Sequence, residues 1–225
     1  MAERKINFSL DEYYHIYNRG TDKREIFLDN LDKERFLKLL FVSNGNKPFV
    51  FRDFPIGLPY VKFDRGEPIT AIGAYCLMPN HFHILVRETS ENGITKFISK
   101  ILTSYSMYFN KKYNRSGRLF EGTFKASHID NDRYLKYLFA YIHLNPIKLI
   151  DKNWKKNGIA VKKVAKNYLE NYKYSSYLDY QNKQRTEEEI LSKNVFPSYF
   201  FAKNDFSDFI TDWLSLKHDY DSPIT

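Results

Sequence analysis

Hydrophobic and polar positions follow two periods along this chain, and the switches between them mark the predicted elements. Tyr13-Tyr14-His15-Ile16-Tyr17-Asn18 is rich in aromatic and β-branched residues and is closed by Arg19-Gly20, which predicts a first strand. Asp32 is placed to cap a helix running to about Val42, with Phe36, Leu37, Leu39, Leu40 and Phe41 as its apolar body. Asn44-Gly45-Asn46 stops it. Prolines at 48, 55, 59 and 68 make residues 48 to 68 a loop or irregular hairpin. Ile69 to Leu77 and His81 to Arg87 form a strand pair about a tight turn at Met78-Pro79-Asn80. Beyond Gly93, the residues Ile94, Phe97, Ile98, Ile101, Leu102, Tyr105, Tyr108 and Phe109 recur at helical spacing on one face. Asn114-Arg115-Ser116-Gly117 ends that helix. Leu119 to Ile129 predicts a strand, and Asp130 or Asn131 can cap a further helix that ends before Pro146.

The order is β-α-β-β-α-β with one more helix appended. It predicts an α+β, ferredoxin-like antiparallel sheet with helices on one face, plus appended helices. That plan hosts many activities, so function has to come from particular residues. After Pro146 the character changes. Lys148, Lys152, Lys155, Lys156, Lys162, Lys163, Lys166 and Lys173 face only Asp151 and Glu170, with Trp154, Tyr168, Tyr172 and Tyr174 interleaved. The expected division is a core over 1–147 and a basic, aromatic extension over 148–225. From Pro197 an amphipathic segment follows (Phe200, Phe201, Phe206, Phe209, Ile210, Trp213, Leu214), suited to docking on another element.

Composition narrows the classes. The 225 residues are 43% hydrophobic, 28% charged and 17% aromatic, ordinary for a globular protein except in their aromatics. Lysine and arginine exceed aspartate and glutamate by 35 − 27, a net charge of +8. A basic chain rich in planar rings suits nucleic acid, where cations neutralise phosphates and rings stack on unpaired bases. A basic strip with rings can equally be a solvated surface over an aromatic core. Cys76 is the single cysteine, which excludes an internal disulfide and a cysteine-based zinc knuckle. No apolar run approaches the ~18 residues that span a bilayer, so the expectation is a soluble, cytoplasmic protein.

Two groupings carry chemistry. His81 and His83 lie two apart on a strand, so both imidazoles project from one face and can aim at a shared cation. Paired strand histidines also simply pack at sheet surfaces. Tyr137, Tyr141 and Asn145 are spaced by four on a helix and share a face. Tyr134, Leu138 and Tyr141 also read as an apolar stripe of core residues.

Several strings resemble the REP-associated tyrosine transposases, within the HUH superfamily of single-strand DNA nucleases. They are Tyr14-His15-Ile16-Tyr17-Asn18-Arg19-Gly20, the run Tyr75-Cys76-Leu77-Met78-Pro79-Asn80-His81-Phe82-His83-Ile84-Leu85, Gly117-Arg118-Leu119-Phe120-Glu121-Gly122-Thr123-Phe124-Lys125-Ala126, and Tyr141-Ile142-His143-Leu144-Asn145-Pro146. Tyr174-Ser175-Ser176-Tyr177 is similar to an element found after the family's core. The resemblance spans roughly residues 10 to 180. It implies His81 and His83 as the metal pair, Asn145 as a third ligand and Tyr141 as the nucleophile. The cofactor implied is a divalent cation, Mg²⁺ or Mn²⁺, although the residues alone also suit Zn²⁺. The implied activity is metal-dependent cleavage and rejoining of single-stranded or hairpin DNA near repeat hairpins, through a 5′-phosphotyrosine. Arg19, Arg118, Lys125, Lys155 and Lys156 are the candidate DNA contacts. His15, His128 and His143 match no catalytic position. A homodimer is compatible with the resemblance, since some HUH transposases complete each site with a partner's helix. The rivals are a non-catalytic nucleic-acid-binding relative and a metal-dependent hydrolase that uses bound water.

Overall fold

The computed structural model describes residues 7–50, 59–154, 158–159, 161–181, 183–198 and 203–215. Its strands are β1 (Tyr13–Arg19), β2 (Thr70–Met78), β3 (His81–Glu88) and β4 (Lys125–Ile129). They form one antiparallel sheet in the order β2-β3-β1-β4. With α1 (Asn30–Val42) after β1 and α2 (Gly93–Lys112) after β3, this is the ferredoxin-like plan.

Two boundaries differ from expectation. The first helix starts earlier: Asp29, not Asp32, is the N-cap, and Asp32 sits at the third helical position, where the two carboxylates form a capping box. A residue with a short acidic side chain serves at either position, so sequence alone does not separate them. The strand expected from Leu119 holds only from Lys125. Residues 119 to 124 turn instead, with Gly122 at φ 70°, and touch the sheet through an isolated Gly20–Phe120 bridge. Gly122 is what the strand pattern overlooked, because a positive φ breaks the ladder.

The sheet is covered on both faces. On one, Ile16, Ile72, Phe82, Ile84 and Val86 pack with the predicted α1 and α2 residues, among them Phe36, Leu40, Phe97, Ile101 and Tyr105. Glu88 reaches back to accept from the Ile94 N–H at 2.7 Å, satisfying an orphan donor at the start of α2. On the other face, Ala74, Cys76, Met78 and Leu85 pack against the appended helix α3 (Asp132–Leu144). Asn131 caps α3 by accepting from the Tyr134 N–H at 2.8 Å.

The chain beyond α3 completes that second core. It includes α4 (Lys162–Asn171), the single turn α5 (Tyr177–Tyr180) and α6 (Lys203–Ser215). Trp154 and Tyr172 are buried there, so these rings serve packing and are not held out for base stacking. The amphipathic segment docks on α3: Phe206 lies 6.0 Å from Phe139 and Trp213 lies 5.6 Å from Tyr137, ring centre to ring centre. Phe200 and Phe201 lie outside the described residues.

Tyr174-Ser175-Ser176-Tyr177 has a distinct role. β2 is an edge strand, and an uncovered edge invites pairing with other chains. Leu77 donates its N–H to Tyr174 O at 2.9 Å, and Ser176 N–H donates to Tyr75 O at 3.0 Å, so this tetrapeptide runs along that edge. The Tyr180 hydroxyl adds a bond to Gly73 O at 2.6 Å. Gly73 falls at a β-bulge between Ile72 and Ala74, and a Cβ there would lie 2.5 Å from the Phe196 ring.

Candidate active site

The α3 face of the sheet is assembled by period-two alternation and strand register. Tyr17 on β1 pairs with His83 on β3 and with Lys125 on β4; one row further, Arg19 pairs with His81. His15, His81, His83 and Tyr17 therefore stand on one face, opposite α3. The centres of the His81 and His83 rings are 4.9 Å apart, with their planes at 82°. From α3, the Tyr141 ring comes to 5.3 Å from His83 and 6.3 Å from His15. The two predicted groupings, about sixty residues apart in sequence, meet within a single chain.

The tautomer of His81 can be read from its surroundings. Asn80 donates its side-chain amide to Lys23 O at 3.1 Å, which fixes the amide orientation. Its carbonyl oxygen then accepts from His81 Nδ1 at 2.6 Å, leaving Nε2 as the nitrogen with a lone pair. Burial, and then the charges of Lys148 and Arg19, hold the His81 imidazole down at about 4. It is neutral at pH 7, as a metal ligand must be. Burial first, then His81, lowers His15 to about 3.

Asn145 caps the C-terminus of α3 one turn beyond Tyr141 and is fully buried. Neither amide atom finds a hydrogen-bond partner among the described residues. Leaving a buried amide unsatisfied costs about 1–3 kcal/mol. Two imidazoles and an amide oxygen one turn from the phenol fit a hard or borderline divalent cation. Among the described residues, no three His, Cys, Asp or Glu side chains group as a metal site, so such a cation would depend on Asn145.

Tyr141 is 5% exposed. Tyr137 stacks beside it at 6.1 Å, and the Lys148 ammonium lies 5.6 Å from its ring centre. Lys148 was passed over as one lysine of the basic strip. The signal was available: Tyr141, Asn145 and Lys148 fall at i, i+4 and i+7. His15 was read as a strand residue only, yet it lies 3.0 Å from His83, Nε2 to Nδ1. Its alternation with Tyr17 and Arg19 put it on this face.

The remaining candidates are distributed unevenly. Arg19 makes a two-pronged ion pair with Glu121, one contact being 3.2 Å. Lys125 is exposed on β4, opposite Tyr17. Arg118 is exposed on the α2 side, lining a groove of about 670 Å³ with Met107, Leu119 and Phe120. Lys155 and Lys156 lie outside the described residues. His143 is buried and bonded to Phe139 O and Ser176 Oγ, each at 2.8 Å, a structural role on the far side of α3 from the site.

The family model of IS200-like transposases matches residues 68–145. That span holds His81, His83, Tyr141 and Asn145. The chain also shares its fold with a solved REP-associated tyrosine transposase bound to a REP hairpin, with a TM-score of 0.51 and 14% identity over 88% of this chain and 89% of that one. A tRNA(His) guanylyltransferase from Saccharomyces cerevisiae (TM-score 0.39, 11% identity, 88% of this chain and 86% of that one) carries no argument at that score. The same holds for a bacterial tRNA(His) guanylyltransferase-like protein in complex with ATP (0.37, 16%, 88% and 76%). No curated protein matches the chain. No helix among the described residues is long and apolar enough to cross a membrane.

Proposed function

We propose that this chain is an IS200-like transposase that cuts and rejoins single-stranded DNA beside a hairpin, with Tyr141 as nucleophile and His81, His83 and Asn145 holding a divalent cation, Mg²⁺ or Mn²⁺. The observation that carries the reading is the 5.3 Å approach of the Tyr141 ring to His83, itself 4.9 Å from His81. A cation bound there would neutralise a non-bridging phosphate oxygen and orient phosphorus for in-line attack. The Tyr141 oxygen loses its proton and bonds to phosphorus as the P–O3′ bond breaks. The 3′ oxygen leaves and is protonated, and the strand's 5′ phosphate remains on the tyrosine. Attack by another 3′-hydroxyl reverses these steps and joins strands, so no nucleotide triphosphate is consumed.

Lys148, above the Tyr141 ring, supplies positive charge where the phenolate and the phosphate meet. Tyr141 is 5% exposed, so side chains around it must move for a strand to reach the phenol. Lys125 and Arg19 flank the histidine row and suit phosphates on either side; Arg19 would exchange Glu121 for phosphate. The Tyr141 ring approaches His83 within one chain, which supports a site that needs no partner's helix to bring the phenol to the imidazoles. The hairpin as substrate rests on the resemblance and on the DNA bound to the solved transposase of the same fold.

The test incubates the protein with Mn²⁺ and an internally labelled hairpin oligonucleotide, then looks for a denaturant-stable protein–DNA adduct. Wild type should form it, and Tyr141→Phe should lose it by about 10⁴-fold or more. Cleavage without an adduct, surviving in Tyr141→Phe, would establish a hydrolase using bound water. Binding without cleavage would leave a DNA-binding relative.

A further inference from the structure

From the geometry around His83 we infer that His15 is a positioning residue, fixing the tautomer and ring orientation of His83 so that Nε2 faces the cation. The inference rests on the metal site proposed above, and the observation behind it is separate. His15 Nε2 lies 3.0 Å from His83 Nδ1, and both rings are fully buried and nearly parallel, at 26°. Two nitrogens at that distance share one proton. If His83 Nδ1 carries it, Nε2 keeps its lone pair for a cation; if His15 Nε2 carries it, His83 Nε2 is protonated and cannot ligate.

The neighbouring histidine shows the same construction. His81 Nδ1 is held by the Asn80 carbonyl oxygen at 2.6 Å. Each histidine of the pair thus has its Nδ1 anchored by a different residue, one from the β2–β3 turn and one from β1. Buried imidazoles with such anchors lose little freedom when a cation arrives. His15 reaches its place because β1 and β3 are antiparallel: it pairs with Leu85, and His83 is the diagonal neighbour two residues on. The Tyr17 ring stacks beside His15 at 5.0 Å, restraining the ring.

The experiment compares metal-free wild type, His15→Phe and His15→Gln by long-range ¹H–¹⁵N correlation of the His83 ring. Affinity for Mn²⁺ alone is measured in parallel by calorimetry. Wild type should show His83 protonated at Nδ1. His15→Phe, with no acceptor, should mix the tautomers and weaken Mn²⁺ binding by about 10–100-fold. His15→Gln, whose amide oxygen can accept, should restore the tautomer and most of the affinity, which also guards against a variant that merely misfolds. A His83 ring protonated at Nε2 in wild type, or unchanged in both tautomer and affinity in His15→Phe, overturns the assignment. A tautomer that depends on His15 in a protein that binds no Mn²⁺ would uphold His15 as positioning residue and sink the metal reading instead.

Discussion

Strand β3 sends Phe82, Ile84 and Val86 to the α1/α2 face and His81, His83 and Leu85 to the α3 face. The first face is closed by interlocking rings: Phe82 lies 5.0 Å from Phe36, which lies 5.1 Å from Tyr105. The second buries imidazoles, a phenol and the Asn145 amide, whose two polar atoms find no hydrogen-bond partner among the described residues. One face stabilises the fold. The other holds buried polar groups at a cost in stability, which is expected where a site is kept ready for a ligand.

This contrast can be broken or sharpened by substitution. The largest stability effect belongs to the dry face. Phe82→Ala should cost about 3–5 kcal/mol in urea unfolding, although the residue sits between both candidate ligands. A loss below about 1 kcal/mol would erase the distinction between faces.

At the β2 edge, Asp179 is fully buried 2.9 Å from Arg185, yet burial outweighs the pairing and raises its carboxyl to about 7. The folded state therefore holds a proton that the unfolded chain releases near 3.8. Its stabilisation is full below that value and is lost as pH rises towards 7. Asp179→Asn should gain on wild type across that window, by on the order of 2 kcal/mol. Thermal melts at pH 4 and pH 8 would show it, and a constant gap would refute it.

On the site face, Asn145→Leu should raise stability by about 1 kcal/mol, since it removes an unsatisfied amide, while weakening Mn²⁺ binding. Destabilisation with unchanged Mn²⁺ affinity would mean that Asn145 serves the fold and not a cation. The smallest effect is expected at Asp29→Ala, which removes the α1 cap for about 1 kcal/mol or less. Adduct formation should be untouched, because α1 lies on the opposite side of the sheet.

The order of the strands, the amphipathic stripe of α2 and the pairing of His81 with His83 were legible because each depends on residues a few positions apart. Periods of two and 3.6 fix which side of its own element a residue occupies. The capping residue of α1 and the start of β4 were misplaced where two nearby residues serve equally or where one glycine turns the chain. The basic strip was misleading for a related reason: charge pattern alone does not reveal that Trp154 and Tyr172 are drawn into the second core.

The sequence by itself determined that His81 and His83 share a face and that Tyr137, Tyr141 and Asn145 share another. Only the tertiary structure decided that these faces confront each other, that His15 anchors His83, and that Tyr174-Ser175-Ser176-Tyr177 covers the β2 edge. Those outcomes depend on strand register and on which face of the sheet α3 buries. Both are settled by contacts between residues far apart in the chain, where local periodicity carries no information.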